Sequence, residues 1–203
     1  MTTMLRIFLD YAETPLGQFA IAADEEGRLR ASGFADQHAR MERQLRIYAS
    51  NPKFSVKREP NPGGLTAAVE RYFASDLAAI DGLPIFIDGT PFQCAVWRAL
   101  REIPFGETRS YAAIARQVGN PAAVRAVGLA NGSNPIGLIL PCHRVIGSDG
   151  SLTGYGGGVE RKRWLLAHEN PVNNGNSQLP RLCGCELTTG GTQIQHRLNA
   201  TSQ

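Results

Sequence analysis

The sequence predicts an α+β protein, with a small N-terminal α/β domain on an antiparallel sheet over residues 1–88 and a mostly helical C-terminal domain containing a helix-turn-helix over residues 89–169. Three observations predict it. Short apolar runs separated by turn residues fill Leu5 to Phe34, helical spacing takes over after Thr90, and Gly119-Asn120-Pro121 divides two short helical stretches. Beyond Glu169, residues 170–203 are rich in Asn, Gly, Thr and Gln and lack periodicity, which predicts a disordered tail.

Each element has a local cause. Leu5-Arg-Ile-Phe-Leu, Gly17-Gln-Phe-Ala-Ile-Ala and Leu29-Arg-Ala-Ser-Gly-Phe read as three strands of a meander, turned at Thr14-Pro15-Leu16-Gly17 and Asp24-Glu-Glu-Gly27. Gln37–Ala49 and Gly64–Ala74 have helical spacing, and Leu83-Pro-Ile-Phe-Ile reads as an edge strand. Thr90-Pro91 is an N-cap with proline in the first turn, after which Phe92, Val96, Trp97 and Leu100 share one helical face. Ser110 caps a helix through Val118, a small-residue helix follows from Ala122 to Asn131, and Val159–Glu169 forms the last. Pro135-Ile-Gly-Leu-Ile-Leu-Pro141 reads as a buried extended run that delivers Cys142.

Composition narrows the function. The 203 residues, 42% hydrophobic, suffice for a real core, and no apolar run approaches the roughly 18 residues of a membrane span. With no signal-peptide pattern, a soluble cytoplasmic protein is expected. Cys94, Cys142, Cys183 and Cys185 are too few and too uneven for a secreted disulfide framework, and Cys183-Gly-Cys185 with a lone His196 lacks metal-site spacing. No metal is expected. Residues 89–169 hold nine basic against five acidic side chains, whereas residues 1–88 hold ten against twelve; the second segment suits an anionic partner.

Pro141-Cys142-His143-Arg144-Val145-Ile146 carries the chemistry. Read alone, Cys142 is more often a small buried hydrophobe than a nucleophile, although an adjacent imidazole and guanidinium would favour its thiolate. Neighbours on a strand face opposite ways, so Cys142 and His143 would meet only through a turn or a water.

PCHRVI, together with GETRSYAAIARQVGNPAAVRAVGLANGSNP before it and TGYGGGVERKRWLLAHE after it, closely resembles the O6-alkylguanine-DNA alkyltransferases. The TPLG and NPGGL segments resemble the bacterial branch. The acceptor cysteine is present, unlike in the alkyltransferase-like proteins. The resemblance implies a ribonuclease H-like N-terminal domain and a one-step, single-turnover transfer of an alkyl group from guanine O6, or thymine O4, onto Cys142. It implies no cofactor.

It also assigns roles. His143 would deprotonate Cys142 through a water, Glu169 would hold the imidazole, Asn134 would order the turn beside the thiol, and Tyr111 would donate to guanine N3. The carbonyls of Cys142 and Val145 would accept from the guanine amino group, and Tyr155-Gly156-Gly157 would cover the flipped base. Where some relatives carry serine and proline this chain has Gly156 and Gly137, changes expected to enlarge the pocket.

A stacked base hides O6 from a buried thiol, so the nucleotide must be extruded. Arg125 resembles the finger that fills the vacated stack from a helix in the minor groove. Ala122, Ala123, Ala126, Gly128 and Ala130 would make that helix slim, and Asn120, Ser148 and the start of the Ser110 helix would meet phosphates. The expected partner is double-stranded DNA carrying O6-alkylguanine, met by a monomer. Two rival readings predict other outcomes: a non-catalytic helix-turn-helix module with an inert thiol, and a cysteine hydrolase that turns over.

Overall fold

A computed structural model describes residues 4–48 and 54–170. Cys183, Cys185, His196 and the tail expectation from residue 171 onward lie outside the described residues. The N-terminal domain is a four-stranded sheet in the order β3-β2-β1-β4, formed by β1 (Leu5–Ala12), β2 (Phe19–Ala23), β3 (Leu29–Phe34) and β4 (Phe54–Arg58). The first three pair antiparallel, as expected of the meander. The fourth corrects the antiparallel expectation. It runs parallel to β1, with Leu5 opposite Phe54 and Leu9 opposite Arg58, because helix α1 (His38–Tyr48) carries the chain across the sheet before it returns.

The two-residue period sorts the side chains. Ile7, Ala20, Ala22 and Ala31 face Met41 and Leu45 of α1, whereas Phe19, Ile21, Ala23 and Leu29 face the core shared with helix α2 (Leu65–Phe73) and the C-terminal domain. Leu83–Ile87 contributes no full strand but a single bridge, with the Leu29 amide donating to the Pro84 carbonyl at 2.8 Å.

Helix α3 (Pro91–Arg101) begins as the sequence requires. Thr90 accepts from the Gln93 amide while the Gln93 side chain accepts from the Thr90 amide, a reciprocal cap worth about 1 kcal/mol. Val96, Trp97 and Leu100 are buried, and the Trp97 indole donates to the Ala130 carbonyl at 2.9 Å. Strand β5 (Arg109–Ser110) leads into helix α4 (Tyr111–Gln117), whose first turn Ser110 caps at the Ala113 amide. Gly119, at φ +77°, ends it in a Schellman turn: its amide reaches Arg116 and that of Asn120 reaches Ala115. Helix α5 (Val124–Gly132) packs on α3 and α4, giving the helix-turn-helix. It starts at Val124, two residues later than expected, leaving Ala122 and Ala123 in the turn.

Pro135–Pro141 is not an extended strand. Ile136 makes one bridge to Ser32, Leu138 sits in the left-handed region at φ +74°, and the Ile139 and Leu140 amides fold back onto Gly137 and Ile136. Burial of Leu138, 1% exposed, holds a conformation that costs of order 1 kcal/mol. The chain thus arrives at Cys142 through a compact turn. Short strand β6 (Val145–Ile146) follows and pairs parallel to β5, and helix α6 (Val159–His168) closes the domain. Arg161 of α6 ties the two domains together: it pairs with Asp36 at 2.9 Å, donates to the Leu16 carbonyl and lies 4.1 Å over the Phe34 ring. Among the described residues no helix is long and apolar enough to cross a membrane.

Candidate active site

Cys142, His143 and Arg144 form one turn of 3-10 helix rather than a strand, and all three are buried. The turn separates their tasks. Cys142 is 7% exposed at the edge of a cleft, and its carbonyl meets the Asn131 amide at 3.5 Å. Burial pushes the thiol above its ordinary pKa, opposed by a hydrogen bond from Asn134 and by the charges of Arg40 and Lys162. At rest it is therefore a protonated thiol that needs a base.

His143 is turned toward Glu169, the C-cap of α6. Its Nε2 donates to Glu169 Oε1 at 2.8 Å, while Nδ1 is buried with no partner among the described residues. Burial holds the imidazole below its ordinary pKa against the opposing pull of the carboxylate, so it is neutral near pH 7. The carboxylate fixes the tautomer: Nε2 carries the proton and Nδ1 keeps a lone pair.

Glu169 is itself heavily bound. Arg144 donates to it twice, from Nε at 2.7 Å and Nη2 at 2.8 Å, and the Tyr72 hydroxyl donates at 2.7 Å from α2 of the other domain. Despite burial, which alone raises a carboxyl, these partners hold Glu169 far below the usual carboxylate range. It is an anion at any physiological pH.

Asn134 splits its amide between the Leu140 carbonyl, at 2.7 Å, and the Ile136 amide, at 2.9 Å, and so pins the turn that presents Cys142. Tyr111, half-buried at the start of α4, is raised by burial and stays a phenol able to donate. The Val145 carbonyl accepts from Lys162 Nζ at 2.6 Å, and Thr153, two residues before Tyr155, accepts from the same nitrogen at 2.8 Å. Lys162 is fully buried and its pKa falls to about 8. Sequence reasoning missed it because Arg161-Lys162-Arg163 reads as a solvated basic run. Replacing it by Met keeps the volume but leaves two carbonyls without a donor; urea unfolding is expected to register a loss of about 1–3 kcal/mol, and an unchanged midpoint would contradict the buried bonds.

The expectation that Gly156 enlarges the pocket needs correction. A Cβ at Gly156 would lie 2.7 Å from the Arg40 guanidinium, and the Gly137 amide donates to the Ser32 carbonyl at 3.2 Å. The space at Gly156 is thus occupied, and a proline at Gly137 would break a bond between the domains. At Gly157 a Cβ would strike the Tyr155 ring at 2.7 Å, so that position requires glycine.

The expected DNA-facing residues do not all belong to one helix, since Asn120, Ala123 and Ser148 lie outside α5. Arg125, Asn120 and Ser148 are exposed, and Ala123, Ala126 and Gly128 are partly exposed. Ala130 is corrected: it is 3% exposed and faces the core. The sequence reading also passed over Leu129, 77% exposed one turn after Arg125.

Comparison with known proteins agrees with this architecture. Residues 7–87 match the ribonuclease-like domain of 6-O-methylguanine DNA methyltransferase, and residues 91–171 match its DNA-binding domain. The chain is 49% identical over 166 residues to the methylated-DNA--protein-cysteine methyltransferase of Salmonella typhimurium, covering 82% of this chain and 97% of that protein. It is 42% identical to the Haemophilus influenzae protein of the same name, over 82% and 88% of the two chains. The Mycobacterium tuberculosis OGT solved in complex with DNA superposes with a TM-score of 0.68 at 40% identity, covering 81% of this chain and 92% of that one. With both halves matched in order and nearly the whole of a curated relative aligned at such identity, the chain belongs to the 6-O-methylguanine DNA methyltransferase family.

Proposed function

We propose that this protein repairs double-stranded DNA by moving an alkyl group from O6 of guanine, or O4 of thymine, onto its own Cys142, once per molecule and without a cofactor. The observation that carries the reading is the pairing of a buried, protonated thiol with a neighbouring imidazole whose Nε2 is tied to Glu169 and whose buried Nδ1 has no protein partner.

The chemistry follows. Nδ1 accepts a proton from the thiol through a water, and the resulting imidazolium is stabilised by the Glu169 anion. The sulfur attacks the alkyl carbon, the S–C bond forms as the C–O6 bond breaks, and the electron pair goes to the base. Tyr111 donates to guanine N3 as that charge develops, and the Cys142 and Val145 carbonyls hold the amino group. The proton held on His143 balances the one guanine regains, and the thioether is stable, so no second turnover follows. Lys162, by gripping Val145 and Thr153, positions both the amino-group acceptor and the Tyr155-Gly156-Gly157 loop.

DNA would be met through its minor groove by α5, with Arg125 filling the stack left by the flipped nucleotide and Asn120 and Ser148 at phosphates. The protein would act as a monomer, and a reduced acceptor thiol suits the cytoplasm. Arg125→Ala is expected to slow repair of duplex DNA about tenfold or more while sparing free O6-benzylguanine, which needs no extrusion. Equal slowing of both would remove the finger assignment. Incubation with a duplex containing O6-methylguanine, followed by peptide mass spectrometry, tests the whole reading: one added CH2 on the Cys142 peptide is expected. Binding with an unmodified thiol would favour the non-catalytic module, and repeated turnover a hydrolase.

A further inference from the structure

Arg40 belongs to α1 of the N-terminal domain, yet its guanidinium lines the same cleft as Cys142. Nη2 donates to the Gly132 carbonyl at 2.8 Å and reaches that of Asn134 at 3.4 Å. Gln44, one turn further along α1, donates to Asn134 at 2.8 Å and Ser133 at 3.2 Å. The N-terminal domain is thereby anchored on the loop that holds Asn134 beside the thiol.

The head of Arg40 stands over Gly156. A Cβ there would lie 2.7 Å from both Cζ and Nη1 and 3.0 Å from Nη2, so the guanidinium occupies the space that a side chain at position 156 would fill. The interior of the cleft is about 20 Å³, enough for one water, and Cys142 is 7% exposed. An alkylated base therefore reaches the sulfur only if a wall yields. Gly137 is fixed to Ser32, its amide donating to the Ser32 carbonyl and its carbonyl accepting from the Ser32 hydroxyl. Arg40 is a long, half-buried side chain held by carbonyl oxygens, with no carboxylate partner among the described residues.

We propose that Arg40 is a specificity-determining residue of the transfer site: its guanidinium is the movable wall on the alkyl-receiving side, admitting a methyl group with little displacement and resisting a larger one. It also lends positive charge beside the sulfur that becomes anionic. The inference rests on alkyl transfer to Cys142.

The test compares single-turnover transfer from duplexes that differ only in carrying O6-methylguanine or O6-benzylguanine. Taking the ratio within each protein cancels losses of folded fraction or DNA affinity. Arg40→Ala is expected to raise the benzyl-to-methyl ratio about tenfold, the scale at which pocket size discriminates substrates. Arg40→Gln, which can still donate to the Gly132 and Asn134 carbonyls, should raise it less and carries the test if the alanine variant does not fold. Gly156→Ala should slow benzyl transfer in the presence of Arg40, where methyl and guanidinium compete, and have a much smaller effect alongside Arg40→Ala. An unchanged ratio in both Arg40 variants, or an equal Gly156→Ala effect in both backgrounds, would overturn the proposal. Failure of the unaltered protein to transfer either group would instead refute the alkyl-transfer reading itself.

Discussion

Cys142→Ser is expected to abolish alkyl transfer while leaving the protein folded and able to bind DNA. Removing a covalent nucleophile costs on the order of 10⁶ in rate, which places the variant below detection. Serine keeps the shape of the side chain, and Asn134, which pins the turn through the Leu140 carbonyl and Ile136 amide, is untouched. What is lost, on the proposed mechanism, is a sulfur that His143 would deprotonate near neutral pH; a hydroxyl at the same place holds its proton far more tightly. Cys94, half-buried and packed near the Gly89 carbonyl, offers no substitute. The unaltered protein should react well into mildly acidic solution and slow only as pH falls through the lowered imidazole pKa, where Nδ1 fills with a proton and ceases to be a base. Transfer retained by Cys142→Ser, read as label moved from a duplex to protein, would displace Cys142 from the reaction.

The elements governed by local chemistry were legible in the sequence. Thr90 and Ser110 cap because their hydroxyls meet amides three residues on, and Gly119 turns the chain because it alone there takes a left-handed conformation without cost. Elements governed by distant partners were not. Phe54–Arg58 is a short edge strand with only two apolar residues, Phe54 and Val56, and its parallel pairing depends on where α1 sets it down. The Pro135–Pro141 run is apolar enough for a strand but folds back on itself because Asn134 and Ser32 claim its backbone groups.

The candidate site shows the same division. Cys142, His143 and Glu169 were readable through a family resemblance, but Tyr72 looked like one more apolar position of a helix, and its bond to Glu169 spans 97 positions in sequence. Arg40 and Lys162 resembled ordinary surface charges, since nothing local distinguishes a buried cation from a solvated one. The N-terminal domain, for which the sequence suggested no site residue, supplies Tyr72 as a hydrogen-bond donor to Glu169 and Arg40 to the wall of the cleft that holds Cys142.

Glu169→Gln should weaken the fold and the chemistry together. The substitution keeps the size of the side chain and removes a charge that neutralises Arg144, which is only 4% exposed. Breaking a buried pair by removing one partner costs about 3–5 kcal/mol, which for a chain of this size lowers the melting temperature by roughly 10 °C. The sign with pH is fixed by the carboxyl, which is held well below its unfolded value. Its contribution is fully present above the ordinary carboxylate range and is lost as pH falls through the native pKa, because the unfolded chain takes up the proton first. Melting temperatures of the two proteins should therefore differ most near neutrality and converge in acid. The amide oxygen can still accept from His143 Nε2, so the tautomer survives, but it cannot stabilise the imidazolium that forms when the thiol gives up its proton. Single-turnover transfer from free O6-benzylguanine and from duplex DNA should both fall by about 10²-fold or more, since the defect lies in proton removal and not in base flipping. A variant with unchanged rate would sever Glu169 from the relay, and one equally stable at pH 7 would show that Arg144 finds its counter-charge elsewhere.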